Sequence, residues 1–226
     1  MSLVRAILIV IQAICNQMAF TPPNPSVAKG VSRFHTNEPY LLQIAPFISR
    51  VHQLGVWFTT GFEILFYLFS LRSTRSPVCL ASRPNITITP WFCIGWTCVV
   101  LGTYIRLDCF RALDQFFTFD LTIHPEHRLI TSGFYSYVRH PAYTGSLLIT
   151  AGLSLSNLTN GNWSTECGPL LIPYSGFIIG ASWFLWTLAV GLSRVDAEDK
   201  QMHKLFPQEW ERWAANVPWW FIPGLI

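Results

Sequence analysis

Apolar residues run along this chain in long stretches separated by short polar connections. Residues 6–28, 84–105, 141–165 and 167–193 contain no Asp, Glu, Lys or Arg, and about 20 apolar residues suffice for a helix to cross a bilayer. Backbone amides in hydrocarbon must pair within the protein, which leaves helices or a closed barrel. Continuous runs without dyad alternation select helices. The pattern predicts an all-α, polytopic integral membrane protein with about five transmembrane helices, near residues 3–20, 51–71, 91–107, 143–157 and 171–192. Counts of four or six spans fit the pattern as well.

Arg5 ahead of an apolar core at residues 6–15 also has the outline of a secretory signal. No clear small-x-small cleavage site precedes Thr21-Pro22-Pro23, however, and the Pro-rich segment to Gly30 reads as a connecting loop. Composition supports a lipid solvent: 51% of residues are hydrophobic and 12% charged, against about 25% charged in a soluble domain. Such a chain has too little polar surface to cover itself in water. Glu63, in the middle of the second span, is either a functional intramembrane acid or one neutralised against another helix.

Six cysteines show neither CxxC spacing nor a Cys/His cluster of zinc type, so the sequence signals neither a metal site nor a disulfide framework, and four of them read as small packing residues. A thinly spread net charge of +3 argues against a nucleic-acid surface. Three sequons, at Asn85, Asn157 and Asn162, fall on one side of a five-span topology. The charge is concentrated on the other side: residues 106–140 and 194–212 hold nine of the twelve acids and eight of the fifteen Lys and Arg. A short loop between the last two spans returns both blocks to the same face, where they can form a composite site. Arg72, Arg75 and Arg83 oppose this orientation under the positive-inside tendency.

The most informative segment runs from His127 through Gly133-Phe134-Tyr135 to Arg139-His140-Pro141-Ala142-Tyr143-Thr144-Gly145. Polar side chains crowd the entry of an apolar span, where they are costly and usually functional. Pro141 suits the first turn of a helix and keeps His140 out of helical geometry. The plainer alternative is an interfacial aromatic belt, with Arg139 and His140 reaching headgroups. A second block follows: Arg194-Val195-Asp196-Ala197-Glu198-Asp199, then Phe206-Pro207-Gln208-Glu209-Trp210 and Val217-Pro218. Arg194 and Glu198 share a helix face and could simply pair. Phe206, Trp210, Trp213 and Val217 recur at helical spacing, the pattern of an interfacial helix.

The pattern GxYxxxRHPxYxG, preceded by His-x-Leu-Ile-Thr-Ser and followed by Arg-x-x-x-Glu and the Val-Pro turn, resembles the isoprenylcysteine carboxyl methyltransferase family and its relatives among membrane phospholipid methyltransferases. The resemblance covers residues 91–226 and divides the chain into N-terminal transmembrane helices, 1–90, and a catalytic region, 91–226. It implies a cytosolic-side pocket formed by the C-terminal half. His127, Arg128, Leu129, Ile130, Tyr135, His140, Pro141, Ala142, Tyr143 and Glu198 would bind S-adenosylmethionine there, and Arg194 would engage the substrate carboxylate. Arg128 is bulkier than the family pattern leads one to expect, and Asp120 is a further contact that its spacing leaves unassigned. The implied partners are C-terminally prenylated proteins or prenylcysteine and membrane lipid, with no nucleic acid and no metal. The implied location is the endoplasmic reticulum, with the active side facing the cytosol.

In this chemistry no catalytic acid or base is required. A prenylcysteine carboxylate, with an ordinary pKa of about 3.5, is already ionised, and the protein has to position it against the methyl donor. A lipid amine N-methyltransferase is the alternative, although Arg194 would repel an ammonium. Less compatible are an NADPH-dependent sterol reductase, for which no phosphate-cradling basic cluster is evident, and a non-catalytic membrane scaffold.

Overall fold

The computed structural model describes residues 1–24, 45–72, 76–79, 81, 84–117 and 126–225. Arg75, Arg83, Asp120 and the Pro-rich connection beyond Asn24 lie outside the described residues. Helix α1 (Leu3–Ala19) begins at an N-cap, Ser2, whose side chain accepts from the Arg5 amide. It is followed by α2 (Ala45–Leu71) and α3 (Pro90–Leu113), the latter capped by Thr89 with Pro90 at its first position. Helix α4 (Pro141–Asn157) again starts on a proline, and the short α5 (Trp163–Glu166) turns the chain into α6 (Ser175–Leu205). Phe206 ends α6 and Pro207 opens α7 (Pro207–Asn216). The described residues contain no strand.

Among the described residues three helices are long and apolar enough to cross a membrane: Phe47–Leu71, Pro90–Phe116 and Ser175–Leu205. Helices α1 and α4 have 17 residues each, about 26 Å at 1.5 Å per residue and so slightly short of a typical hydrocarbon core. Helix α1 nevertheless has the polarity of a membrane helix. Leu3, Ile7, Ile11, Ile14 and Met18 are exposed on one face, while Arg5, Gln12 and Asn16 are buried on the other. Apolar outside and polar inside is the arrangement a lipid solvent favours.

Helices α3 and α4 pack backbone to backbone. A Cβ on Gly102 would stand 2.6 Å from the Gly145 carbonyl oxygen, and one on Gly152 would stand 2.5 Å from that of Gly95. Each helix carries its two glycines seven residues apart, on one face, so the pair closes along two turns. Small residues allow this approach where no hydrophobic effect draws helices together.

At one end of the bundle Glu63 pairs with Arg5, its partner across α1 and α2, and accepts from Asn162 Nδ2 at 3.2 Å. Arg5 also donates to the Thr87 carbonyl at 2.6 Å and lies over the Phe92 ring. Glu63 is thus neutralised against another helix. One sequence expectation changes here. Cys79 and Cys167 form a disulfide that staples the α2–α3 connection to the α5 turn; an 88-residue separation leaves no local spacing to announce it. Asn162 is 2% exposed and caps α5, so this sequon is occupied by internal hydrogen bonds, whereas Asn85 is exposed.

Candidate functional site

The opposite end of the bundle gathers the C-terminal end of α3, the N-terminal end of α4 and the C-terminal end of α6. Gly133 takes φ of +64, a left-handed conformation that glycine adopts without a Cβ penalty, and starts a single 3-10 turn to Ser136. The residue before Pro141 stays out of helical geometry, which a following proline disfavours: His140 has φ −128 and ψ 60. The C-terminal segment locks this stretch in place. Arg139 and His140 donate their amides to the Trp219 and Trp220 carbonyls at 2.8 and 3.0 Å. Thr144 Oγ1 donates to the Phe221 carbonyl at 2.7 Å, and Trp213 Nε1 to that of Tyr135 at 3.0 Å.

A cavity of about 270 Å³ opens inside this frame. His127, Leu129, Ile130, Tyr135, His140, Ala142, Tyr143, Arg194 and Glu198 all line it, and so does Arg128, whose guanidinium carbon lies 5.9 Å from the centre of the Phe116 ring. Pro141 is buried behind the wall at the first position of α4. The two polar blocks of the sequence therefore meet in space.

Two adjacent carboxylates organise the polar end. Glu198 Oε1 accepts from the Tyr143 hydroxyl at 2.6 Å, and Glu198 Oε2 stands 3.2 Å from His140 Nδ1. Asp199 Oδ1 lies 2.9 Å from His140 Nε2, and Oδ2 accepts from Trp220 Nε1 at 3.2 Å, with Arg139 Nη1 at 3.5 Å. Burial opposes charge on the His140 ring, but the hydrogen bonds and charges of Asp199 and Glu198 outweigh it and raise the pKa above the usual imidazole value. Burial, together with the neighbouring Cys109 thiol, pushes the Tyr135 hydroxyl well above its ordinary range, so it serves as a neutral group.

Several cavity residues lacked a clear sequence signal. Arg106 is buried and donates to the Ala19 and Ala142 carbonyls at 2.7 and 3.0 Å and to Ser146 Oγ at 2.5 Å. A charge inside an apolar span was the available clue. At the other end of the cavity His52 stacks on Trp183 at 4.8 Å, and Trp183 on Trp186 at 5.0 Å. The indole nitrogens of both tryptophans are buried without a hydrogen-bond partner, donors that a bound polar group could satisfy. Among the described residues no cluster of three His, Cys, Asp or Glu is placed to hold a metal ion.

The face of α6 toward the cavity carries Trp183, Trp186, Thr187, Val190, Arg194, Glu198 and Met202, a helical stripe that changes from aromatic to charged along its length. Fold and site define a helical membrane protein with an amphipathic cavity at one end. Residues 94–204 match the model of the Isoprenylcysteine carboxyl methyltransferase (ICMT) family. The chain is 27% identical over 142 residues to "Protein-S-isoprenylcysteine O-methyltransferase" of Dictyostelium discoideum, covering 62% of this chain and 52% of that protein. It is 28% identical over 131 residues to "Probable protein-S-isoprenylcysteine O-methyltransferase" of Oryza sativa subsp. indica, covering 56% and 60%. It is 25% identical over 188 residues to "Protein-S-isoprenylcysteine O-methyltransferase B" of Arabidopsis thaliana, covering 82% and 85%. Residues 94–204, just under half of the chain, are thus similar to the isoprenylcysteine carboxyl methyltransferase family. The chain spans little more than half the length of the first two relatives. No solved structure shows significant similarity to it.

Proposed function

We propose that this protein is an S-adenosylmethionine-dependent methyltransferase that esterifies the C-terminal prenylcysteine carboxylate of prenylated proteins. Residues 91–226 form its catalytic region, and residues 1–90 supply the remaining transmembrane wall. The supporting observation is the order of side chains along α6 inside one cavity: Trp183 and Trp186, then Arg194, then Glu198. Trp183 and Arg194 are separated by about 16 Å along the helix axis at 1.5 Å per residue. An amphiphile with an apolar tail and a carboxylate head matches that polarity.

Arg194 engages the substrate carboxylate, since a guanidinium presents a planar fork to a carboxylate. His127, Arg128, Leu129, Ile130, Tyr135, His140, Ala142, Tyr143 and Glu198 hold the methyl donor, and Pro141 acts through the backbone of His140. The fit is chemical: Glu198 offers acceptor oxygens to hydroxyl or ammonium groups of a ligand, and the rings of Tyr135 and Tyr143 present faces that favour a cation. S-adenosylmethionine held there would supply an electrophilic methyl group, the carboxylate oxygen bonding to the methyl carbon as the carbon–sulfur bond breaks and the sulfur leaves as a neutral thioether. The protein's part is alignment, for which effective concentration supplies about 7–11 kcal/mol in favourable cases.

The disulfide supports an orientation. Disulfides persist in oxidising compartments, and Cys79–Cys167 lies at the end of the bundle away from the cavity. We place that end in the lumen of the endoplasmic reticulum and the cavity on the cytosolic side, with α1 and α4 completing a count of five spans. Membranes carrying the chain test the reaction: labelled methyl transferred to N-acetyl-S-farnesylcysteine and released by mild base identifies an ester. Base-stable label on phosphatidylethanolamine instead assigns the activity to lipid amines.

A further inference from the structure

His140 meets a carboxylate at each ring nitrogen: Glu198 at 3.2 Å from Nδ1 and Asp199 at 2.9 Å from Nε2. A neutral imidazole has one N–H and one lone pair, so in either tautomer a lone pair would point at a carboxylate oxygen. The doubly protonated ring satisfies both contacts. Of the two acids, Asp199 is held more firmly. Its side chain is 14% exposed against 30% for Glu198, and Trp220 and Arg139 grip its second oxygen. Glu198 faces the cavity, and its oxygens are directed by Tyr143 and His140. The order of contacts is therefore Trp220, Asp199, His140, Glu198, Tyr143, running from the C-terminal segment into the cavity.

We infer that Asp199 is a positioning residue that keeps His140 doubly protonated, and that the resulting imidazolium sets the orientation of the Glu198 carboxylate. This rests on the methyltransferase reading only for the identity of the ligand. The groups facing the ring are Glu198 and Asp199 from α6 and Tyr143 from α4. Arg139 lies next in the chain and contacts Asp199, while Arg106, Arg194 and Tyr135 share the cavity. The raised pKa of His140 gives the direction of the pH dependence. The charged ring is present at and below the ordinary imidazole range, and the contact with Glu198 is lost as pH rises through the raised value.

Histidine-selective nitrogen NMR of the ligand-free full chain in detergent micelles, assigned with His140→Gln, tests this directly. Both ring nitrogens of His140 should carry protons, with a titration midpoint above the roughly 6.5 of a free imidazole. Asp199→Asn should lower the midpoint, because Glu198 alone then opposes burial. Trp220→Phe, which leaves both carboxylates in place, should keep it above. Should Asp199→Asn fail to fold, Asp199→Glu must restore the high midpoint. A neutral single tautomer at pH 6.5 in the wild type, or an unchanged midpoint in Asp199→Asn, overturns the inference. Affinity for S-adenosylhomocysteine should fall about tenfold in Asp199→Asn, the scale of one charge-assisted hydrogen bond, and in the wild type should decline through the same midpoint. Affinity independent of pH would overturn the link to Glu198. If no S-adenosylhomocysteine binds at any pH, the donor assignment fails, and the NMR titration still decides the protonation of His140.

Discussion

Tyr143 donates its hydroxyl hydrogen to Glu198 across 2.6 Å and so fastens the first turn of α4 to α6. The contact couples the His-Pro-x-Tyr run to the Arg-x-x-x-Glu run, two stretches 55 residues apart. Hydrogen bonds to a charged partner contribute about 1.5–3 kcal/mol. Tyr143→Phe should therefore weaken binding of S-adenosylhomocysteine about tenfold or more while leaving the fold intact. Calorimetric titration in micelles measures it, and unchanged affinity would remove Tyr143 from the donor site.

Arg194 and Glu198 sit one turn apart on α6 in the same cavity, yet they have different roles in the proposed reaction. Arg194→Ala should raise KM for a prenylcysteine at least tenfold and leave S-adenosylhomocysteine affinity within about twofold, as expected when one carboxylate contact of about 1.4 kcal/mol or more is removed. Glu198→Ala should do the reverse. Equal loss of both ligands in either folded variant contradicts the assigned roles.

At the far end, Glu63 and Arg5 pair at almost complete burial. Removing one partner leaves a charge in the bundle, at a cost of about 3–5 kcal/mol, whereas replacing both with apolar residues of similar size is often neutral. Glu63→Ala should lower the thermal midpoint in micelles sharply, and Arg5→Met with Glu63→Leu should recover most of it. Equal destabilisation by the double variant would show that the pair itself specifies the fold.

A Cβ on Gly145 would stand 2.6 Å from Arg106 Cγ and 2.7 Å from the Gly102 carbonyl oxygen. Gly145→Val must push α3 and α4 apart and disturb Arg106, which lines the cavity. Overpacking of this kind costs about 1–3 kcal/mol. The variant should lose both thermal stability and S-adenosylhomocysteine affinity, while Gly61→Ala, at a position with open space around it, should lose neither.

The helices were legible because lipid demands long apolar runs: each of the five predicted segments overlaps a helix, three of these among the described residues are long and apolar enough to cross a membrane, and α6 starts at Ser175 and runs past the predicted end at 192 to Leu205. The prolines at 90, 141 and 207 each open a helix, as their missing N–H and fixed φ lead one to expect. Less legible were features that depend on distant residues meeting. The Cys79–Cys167 bridge, the facing glycines of α3 and α4, and the Arg5–Glu63 pair have no local signature. Asp199 was hidden for another reason: nothing in the sequence distinguishes it from its neighbours, and only the return of Trp220 and His140 to its side chain sets it apart. Trp183 and His52 likewise carry no signal of their own in the sequence, and only the fold stacks one ring on the other.

In the proposed reaction the cavity brings a prenylated carboxylate to a methyl donor. The most direct measurement is transfer of labelled methyl from S-adenosylmethionine to N-acetyl-S-farnesylcysteine by purified, reconstituted protein, with Glu198→Ala alongside. Base-labile product from the wild type, reduced at least tenfold in the variant at a subsaturating donor concentration, is the expected result. No ester from a folded protein that nonetheless binds S-adenosylhomocysteine would contradict the assigned substrate.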